Sequence, residues 1–243
     1  MIGREAARGH GARWRLGEAA DAGEGGMAVR ALILDFDGTI VDTETPWYRA
    51  WQEVYAGFGE DLPVAEWART VGTAEGAFDP VVHLEQRLGR SLDRTALEAD
   101  FRTRGLRLQA REGLRPGISA LLGEAHAASV PVALASNSPR SWVEPYLRRF
   151  GIAGSFGAVC TREDVVHPKP APDLYRLALR RLGVPAQRAV ALEDSPSGAE
   201  AALLAGLTCV VVPNAFTAAL RFPEGARVLP SLQGVPLAAL APD

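Results

Sequence analysis

The sequence predicts an α/β protein: a Rossmann-like parallel sheet with an all-helical unit inserted after its first strand. Three observations carry this. The run 31–34 is wholly apolar and ends abruptly at Asp35-Phe36-Asp37-Gly38, as a buried strand does where it meets a polar loop. From about Thr45 to Glu112, apolar residues recur at helical spacing with no strand-like alternation. From Gly113 onward, helical stretches alternate with short apolar runs, the pattern of repeated units whose strands lie parallel.

The bulk numbers agree with an ordinary soluble globular protein. A chain of 243 residues, 47% hydrophobic and 23% charged, suits one sizeable core plus an insertion. A net charge of −3 gives no electrostatic basis for a nucleic-acid or acidic-membrane partner. No apolar stretch approaches the ~18 residues of a membrane span. Cys160 and Cys209 sit in apolar runs at no zinc-like spacing and read as buried free thiols. A cytoplasmic monomer is the expectation. Residues 1–26, rich in Gly, Ala, Arg and Glu without aliphatic periodicity, read as a mobile tail, with Met27 a candidate start.

In chain order, the apolar run ending at Leu34 is the first strand. The segment 43–57 is a helix with Thr43 or Thr45 as its cap and Pro46 in its first turn. Helices follow at 64–70, 80–88 and 93–110, the last with only loose periodicity. The remainder reads as helix 116–128, strand 130–135, helix 139–150, strand 157–160, helix 170–182, strand 189–192, helix 197–205 and strand 208–212. Five parallel strands with helices on both faces satisfy this pattern.

Chemistry gathers where strands end, because ligands of open parallel sheets sit at the carboxyl ends of the strands. Asp35 and Asp37, two residues apart on extended backbone, point to one side. Two such carboxylates repel unless a cation, a proton or different roles separate them. A magnesium ion at Asp35 would leave Asp37 to trade protons, and Gly38 lets the chain turn away. After the next long strand, Ser136 and Asn137 offer a hydroxyl and an amide to phosphate oxygens. Lys169, between Pro168 and Pro170, would offset the charge of a phosphoryl group. Glu193 and Asp194 end another buried strand and need a cation between them. Adjacent strand residues face opposite ways, so Asp194 is the expected direct metal ligand and Glu193 its support.

Read together, Asp35-x-Asp37-Gly38-Thr39, Ser136-Asn137, Lys169-Pro170 and Glu193-Asp194-Ser195-x-x-Gly198 resemble the four motifs of the haloacid dehalogenase-like superfamily over about residues 30–213. The inserted helices are similar to the cap of its β-phosphoglucomutase and phosphoglycolate phosphatase subgroup. The resemblance implies an α/β core of 27–44 and 113–243 and a cap of 45–112. It implies that Asp35 is a nucleophile forming an aspartyl-phosphate and Asp37 the general acid/base. Mg2+ would be held by Asp35, the Asp37 backbone carbonyl and Asp194, with Glu193 supporting. Thr39, Ser136, Asn137 and Lys169 would bind phosphate, and Trp47, Arg49, Thr73 and Glu75 on the cap would choose a small phosphorylated metabolite.

Trp47 stands where the mutase group carries a histidine, and 71–75 lacks the arginine the mutase places on its second phosphate. Phosphatase is therefore the expected activity and phosphosugar mutase the alternative. A non-enzymatic binding module on the same fold is the reading from another class, and the intact acids argue against it.

Overall fold

The structure is a computed structural model that describes residues 28–67 and 78–241. The expected tail 1–26, its candidate start Met27, the end of the 64–70 helix, and Thr73 and Glu75 lie outside the described residues.

Six parallel strands form one sheet. They are β1 (Ala31–Leu34), β2 (Val132–Ala135), β3 (Ala158–Cys160), β4 (Ala189–Glu193), β5 (Thr208–Val211) and β6 (Ala226–Val228). Their order is β3-β2-β1-β4-β5-β6, so the chain works outward from β1 on one side, then restarts beside β1 on the other. Such a reversal leaves a crevice between two strands with diverging connections. The sixth strand corrects the expected five. β6 pairs only with β5 and carries Arg227 between Ala226 and Val228, so it lacks the buried apolar run that marks a central strand.

The central strands β1, β2 and β4 are apolar up to their ends, and mostly larger side chains face one side and mostly alanines the other. Leu32, Leu34, Val132, Leu134, Val190 and Leu192 point to the side covered by α5 (Ile118–Ala127) and α6 (Arg140–Arg149). Ala31, Ala133, Ala135, Ala189 and Ala191 point to the side of α7 (Asp173–Leu182) and α8 (Pro196–Leu204). Small side chains there let the two helices approach the sheet closely, and dense packing leaves no slack. Cys160 and Cys209 are free and buried.

Between β1 and β2, the helices α1 (Glu44–Ala56), α2 (Val64–Trp67), α3 (Pro80–Leu88) and α4 (Arg94–Gln109) build a second core. Tyr48, Trp51, Val54 and Tyr55 of α1 meet Leu84 and Leu97, and Trp51 stacks on Phe101 at 4.5 Å. Gly105 of α4 faces the Trp47 ring so closely that a Cβ would overlap it. Phe216, from the loop after β5, also belongs to this core. The cap of α1 differs from expectation. Thr43 makes no side-chain cap bond, whereas Asp42 accepts from the backbone N–H of Glu44 and Thr45 and from the Thr45 hydroxyl. A carboxylate suits the positive end of a helix better than a hydroxyl does. Among the described residues, no helix is long and apolar enough to cross a membrane.

Ala133→Leu is expected to destabilise the protein by about 1–3 kcal/mol through overpacking beneath α7. Urea denaturation measures it. An unchanged midpoint would mean that the small-residue face has room to spare.

Candidate active site

Register brings the acids together. Leu34 pairs with Leu192 across β1 and β4, and the Asp35 N–H donates to the Leu192 carbonyl at 2.9 Å. Asp35, one residue beyond β1, therefore lies opposite Glu193, the last residue of β4. Lys169 enters between them from the loop before α7. Its ammonium donates to Asp35 Oδ1 at 2.7 Å and to Glu193 Oε1 at 2.6 Å. By side chain Lys169 is 4% exposed, Glu193 0% and Asp35 10%, so water screens these bonds little.

The sequence reading sent only one of the two β4 acids toward Asp35. Instead, oxygens of Asp35, Glu193 and Asp194 all lie within 4.8 Å of one another. Gly198 is the reason. The Glu193 carboxylate folds over the first turn of α8, where a Cβ at Gly198 would overlap it. There it is saturated: Tyr175 Oη also donates to Oε1 at 2.6 Å, and the Asp194 N–H and Ser195 hydroxyl donate to Oε2, each at 3.2 Å. Asp194 is fixed by Asn214, whose Nδ2 donates to Oδ2 at 2.8 Å. Asn214 is held in turn by the N–H groups of Phe216 and Thr217. Gly38, with φ +77°, passes so close to Asp194 that no side chain fits. Arg115 binds the carbonyls of Gly38, Val212 and Pro213, locking the loops after β1 and β5 together.

Three buried carboxylates cluster around one ammonium, and the proton affinities of Asp35 and Asp194 show the excess. Burial pushes Asp35 above its ordinary range, Glu193 and Asp37 add to it, and Lys169 only partly opposes it. Burial, then Asp35 and Glu193, holds Asp194 well above its usual value. Burial pulls the Lys169 ammonium down, but Asp35 and Glu193 together carry it above its ordinary value. Such a set accepts a further cation readily, and oxygen donors suit a hard one.

Asp37 faces the cavity across from this cluster. Trp142 Nε1 donates to its Oδ1 at 2.9 Å and the Ser138 hydroxyl to its Oδ2 at 2.6 Å, with Ser136 Oγ at 3.5 Å. Asp35, Asp37, Ser136, Asn137 and Lys169 line one cavity of about 530 Å3. Trp47 and Glu44 line this cavity and also a second of about 610 Å3, walled by Trp51, Trp67 and Phe101.

Three expected side chains are placed otherwise. The Thr39 hydroxyl turns into the protein beneath the Gly38 turn, buried and outside the cavity wall. Both halves of the Asn137 amide bind the Lys169 backbone, accepting from its N–H at 2.9 Å and donating to its carbonyl at 3.1 Å. The side chain thus anchors the lysine loop. Arg49 is exposed beside Glu112, outside both cavities. Residues the sequence reading passed over include Ser138, Trp142, Tyr175, Arg115 and Asn214. Asn214 follows a strand, as the other site residues do, and that was its available signal. Trp142 and Tyr175 lie inside helices whose periodicity points only to packing.

A model of haloacid dehalogenase-like hydrolases matches residues 29–206, a span that contains all four strand-end motifs. The chain belongs to the haloacid dehalogenase-like hydrolases. Among members of this family, it is 39% identical over 212 residues to Bacillus subtilis YhcW, a candidate phosphatase, covering 87% of this chain and 96% of that one. It is 30% identical over 182 residues to the fructose-1-phosphate phosphatase YqaB of Escherichia coli, covering 74% and 95% of the two chains. An Asp-to-Asn variant of CbbY from Rhodobacter sphaeroides, solved with xylulose-1,5-bisphosphate, superposes with a TM-score of 0.66 at 32% identity, covering 88% of this chain and 100% of that one.

Two predictions follow from the electrostatics. Lys169→Met strands Asp35 and Glu193 without their ammonium, and is expected to cost about 3–5 kcal/mol of stability in metal-free protein at pH 8. Denaturation curves measure it, and a negligible loss would mean that the acids are compensated elsewhere. Glu44 concerns pH. Burial, with Asp37 and Asp42 nearby, pushes its carboxyl from 4.5 up to about 7. Ionising it therefore opposes folding, with a penalty that grows as pH rises from about 4.5 and is complete above about 7. Glu44→Gln is expected to exceed the parent in stability by about 1–3 kcal/mol at pH 8, and to equal it at pH 4. A parent as stable as the variant at pH 8 would contradict the placement of Glu44.

Proposed function

We propose that the protein is a magnesium-dependent phosphatase that hydrolyses a small phosphate ester, a sugar phosphate or similar metabolite, through an aspartyl-phosphate on Asp35. One observation carries the reading: Asp35 and Asp37 line the same cavity with different partners. Asp35 lies against an ammonium and two further acids, whereas Asp37 is held by neutral donors. The first environment suits a nucleophile beside a cation, and the second a group that moves protons.

Asp35, Asp194 and the Asp37 backbone carbonyl would hold Mg2+, with Glu193 in support, and the excess of buried carboxylate fits it. Bound there, the ion would offset charge on the phosphoryl group and on the attacking carboxylate. The chain supplies the rest. Asp35 attacks phosphorus while Asp37 protonates the departing oxygen, and Asp37 then takes a proton from the water that cleaves the aspartyl-phosphate. Lys169 and the Ser136 hydroxyl stabilise the transferring group, as does the loop that Asn137 anchors.

The segment 45–112 serves as a cap over a core of 27–44 and 113–243, with Trp47 of the cap and Glu44 at the end of the first core segment meeting the substrate's leaving group. That YqaB is a fructose-1-phosphate phosphatase and CbbY was solved with a sugar bisphosphate supports a phosphorylated sugar as substrate. Trp47 supports transfer to water over transfer to sugar. Its ring packs against Phe101 at 5.2 Å and over Gly105, and offers Asp37 no equivalent of the mutase histidine.

The deciding experiment is release of inorganic phosphate from hexose phosphates, phosphoglycolate and β-glucose 1-phosphate, with and without magnesium. Magnesium-dependent release is expected, falling about a thousandfold or more in Asp35→Asn. Conversion of β-glucose 1-phosphate to glucose 6-phosphate without release would establish the mutase instead. Turnover that survives in Asp35→Asn would refute the covalent route.

A further inference from the structure

Asp37 arrives from the turn after β1, yet the close donors on its carboxylate come from the link after β2, at Ser138, and from the first turn of α6, at Trp142. The two close donors differ in chemistry. Trp142 offers an indole N–H, which donates only, so Oδ1, 2.9 Å away, must always accept. Ser138 offers a hydroxyl, which can donate or accept, so Oδ2, 2.6 Å away, keeps its partner with or without a proton. The indole cannot easily turn aside. It packs edge-on against Tyr146 at 5.2 Å and 61°, and Tyr146 packs on Phe36, the residue between the two aspartates, at 5.6 Å.

We propose that Trp142 is a positioning residue for proton transfer: it pins Oδ1 of Asp37 as a permanent acceptor and so makes Oδ2 the oxygen that gives and takes the proton. The assignment rests on the phosphatase reading above. In the first step Asp35 forms a bond to phosphorus, the ester P–O bond breaks, and the departing oxygen takes the proton from Oδ2. In the second, water attacks phosphorus and returns one proton to Oδ2. The bond to Asp35 then breaks and releases inorganic phosphate, so both carboxyl groups end as they began. Ser138 and Trp142 both lie outside the helical unit. The acid/base is therefore aimed by the sheet domain itself, whichever way the cap stands.

The test exploits leaving groups. kcat/KM covers all events up to departure of the ester oxygen, which needs a proton when it leaves as an alkoxide and not when it leaves as 4-nitrophenolate. Trp142→Phe keeps a ring against Tyr146 and removes the N–H. Its kcat/KM is expected to fall about 10- to 100-fold on the parent's best sugar phosphate, and at least about tenfold less on 4-nitrophenyl phosphate. Trp142→His, which retains a ring N–H, is expected to recover part of the sugar-phosphate rate. Ser138→Ala, which leaves the aromatic packing alone, should show the same selective loss. Equal losses on both esters, or none on either, would reduce Trp142 to packing. A parent that turns over neither ester would instead overturn the phosphatase reading, and this assignment with it.

Discussion

The ammonium of Lys169 between Asp35 and Glu193 is the contact on which the site depends. Two central strands of the sheet end in acids that parallel register forces side by side. Without a cation, those ends would carry uncompensated buried charge, whose cost of about 3–5 kcal/mol is a large share of the ~5–15 kcal/mol that keeps a domain folded. The lysine resolves that conflict and remains insufficient, since Asp194 adds a third carboxylate. Stability and function thus ask for the same thing, positive charge at the ends of β1 and β4. A divalent ion bound there, or an electrophilic phosphorus arriving there, would answer the same need.

Much of this was legible because the motifs report on registry. Short apolar runs ending in Asp, Ser or Glu show where strands stop, and chain order places those stops along one edge. Asp35, Asp37, Ser136, Lys169 and Asp194 could be gathered on that ground, and the cavity contains all of them. What stayed hidden was orientation. Asn137 has the right chemistry to meet a phosphate, but its amide closes a reciprocal pair with the Lys169 backbone. Thr39 follows a left-handed glycine, and the turn carries its hydroxyl away from the cavity. Glu193 escapes the alternation rule because its longer side chain folds back over a glycine.

The fold was legible in outline and not at its edges. Hydrophobic runs reveal strands buried on both faces, so β1, β2, β4 and β5 announce themselves, while β6, half exposed around Arg227, does not. The capping role of Asp42 was missed for a related reason. Asp42, Thr43 and Thr45 are all capping residue types, and only the path of the chain selects Asp42. Trp142 belongs with these. In sequence it is one more aromatic on an amphipathic helix, and only the placement of α6 beside the turn after β1 brings its single polar atom onto Asp37.

The turn from Asn214 to Thr217 faces two ways. At one end Asn214 grips Asp194; two residues later, Phe216 is buried among the aromatics of the helical unit, 5.3 Å from Tyr48. The two cores are therefore not independent modules joined by a hinge, because a handful of atoms belongs to both. Their melting is tied together: loosening the helical unit withdraws Phe216, and with it the brace on an acid of the opposite core. Phe216 thus couples the packing of the helical unit to the position of Asp194.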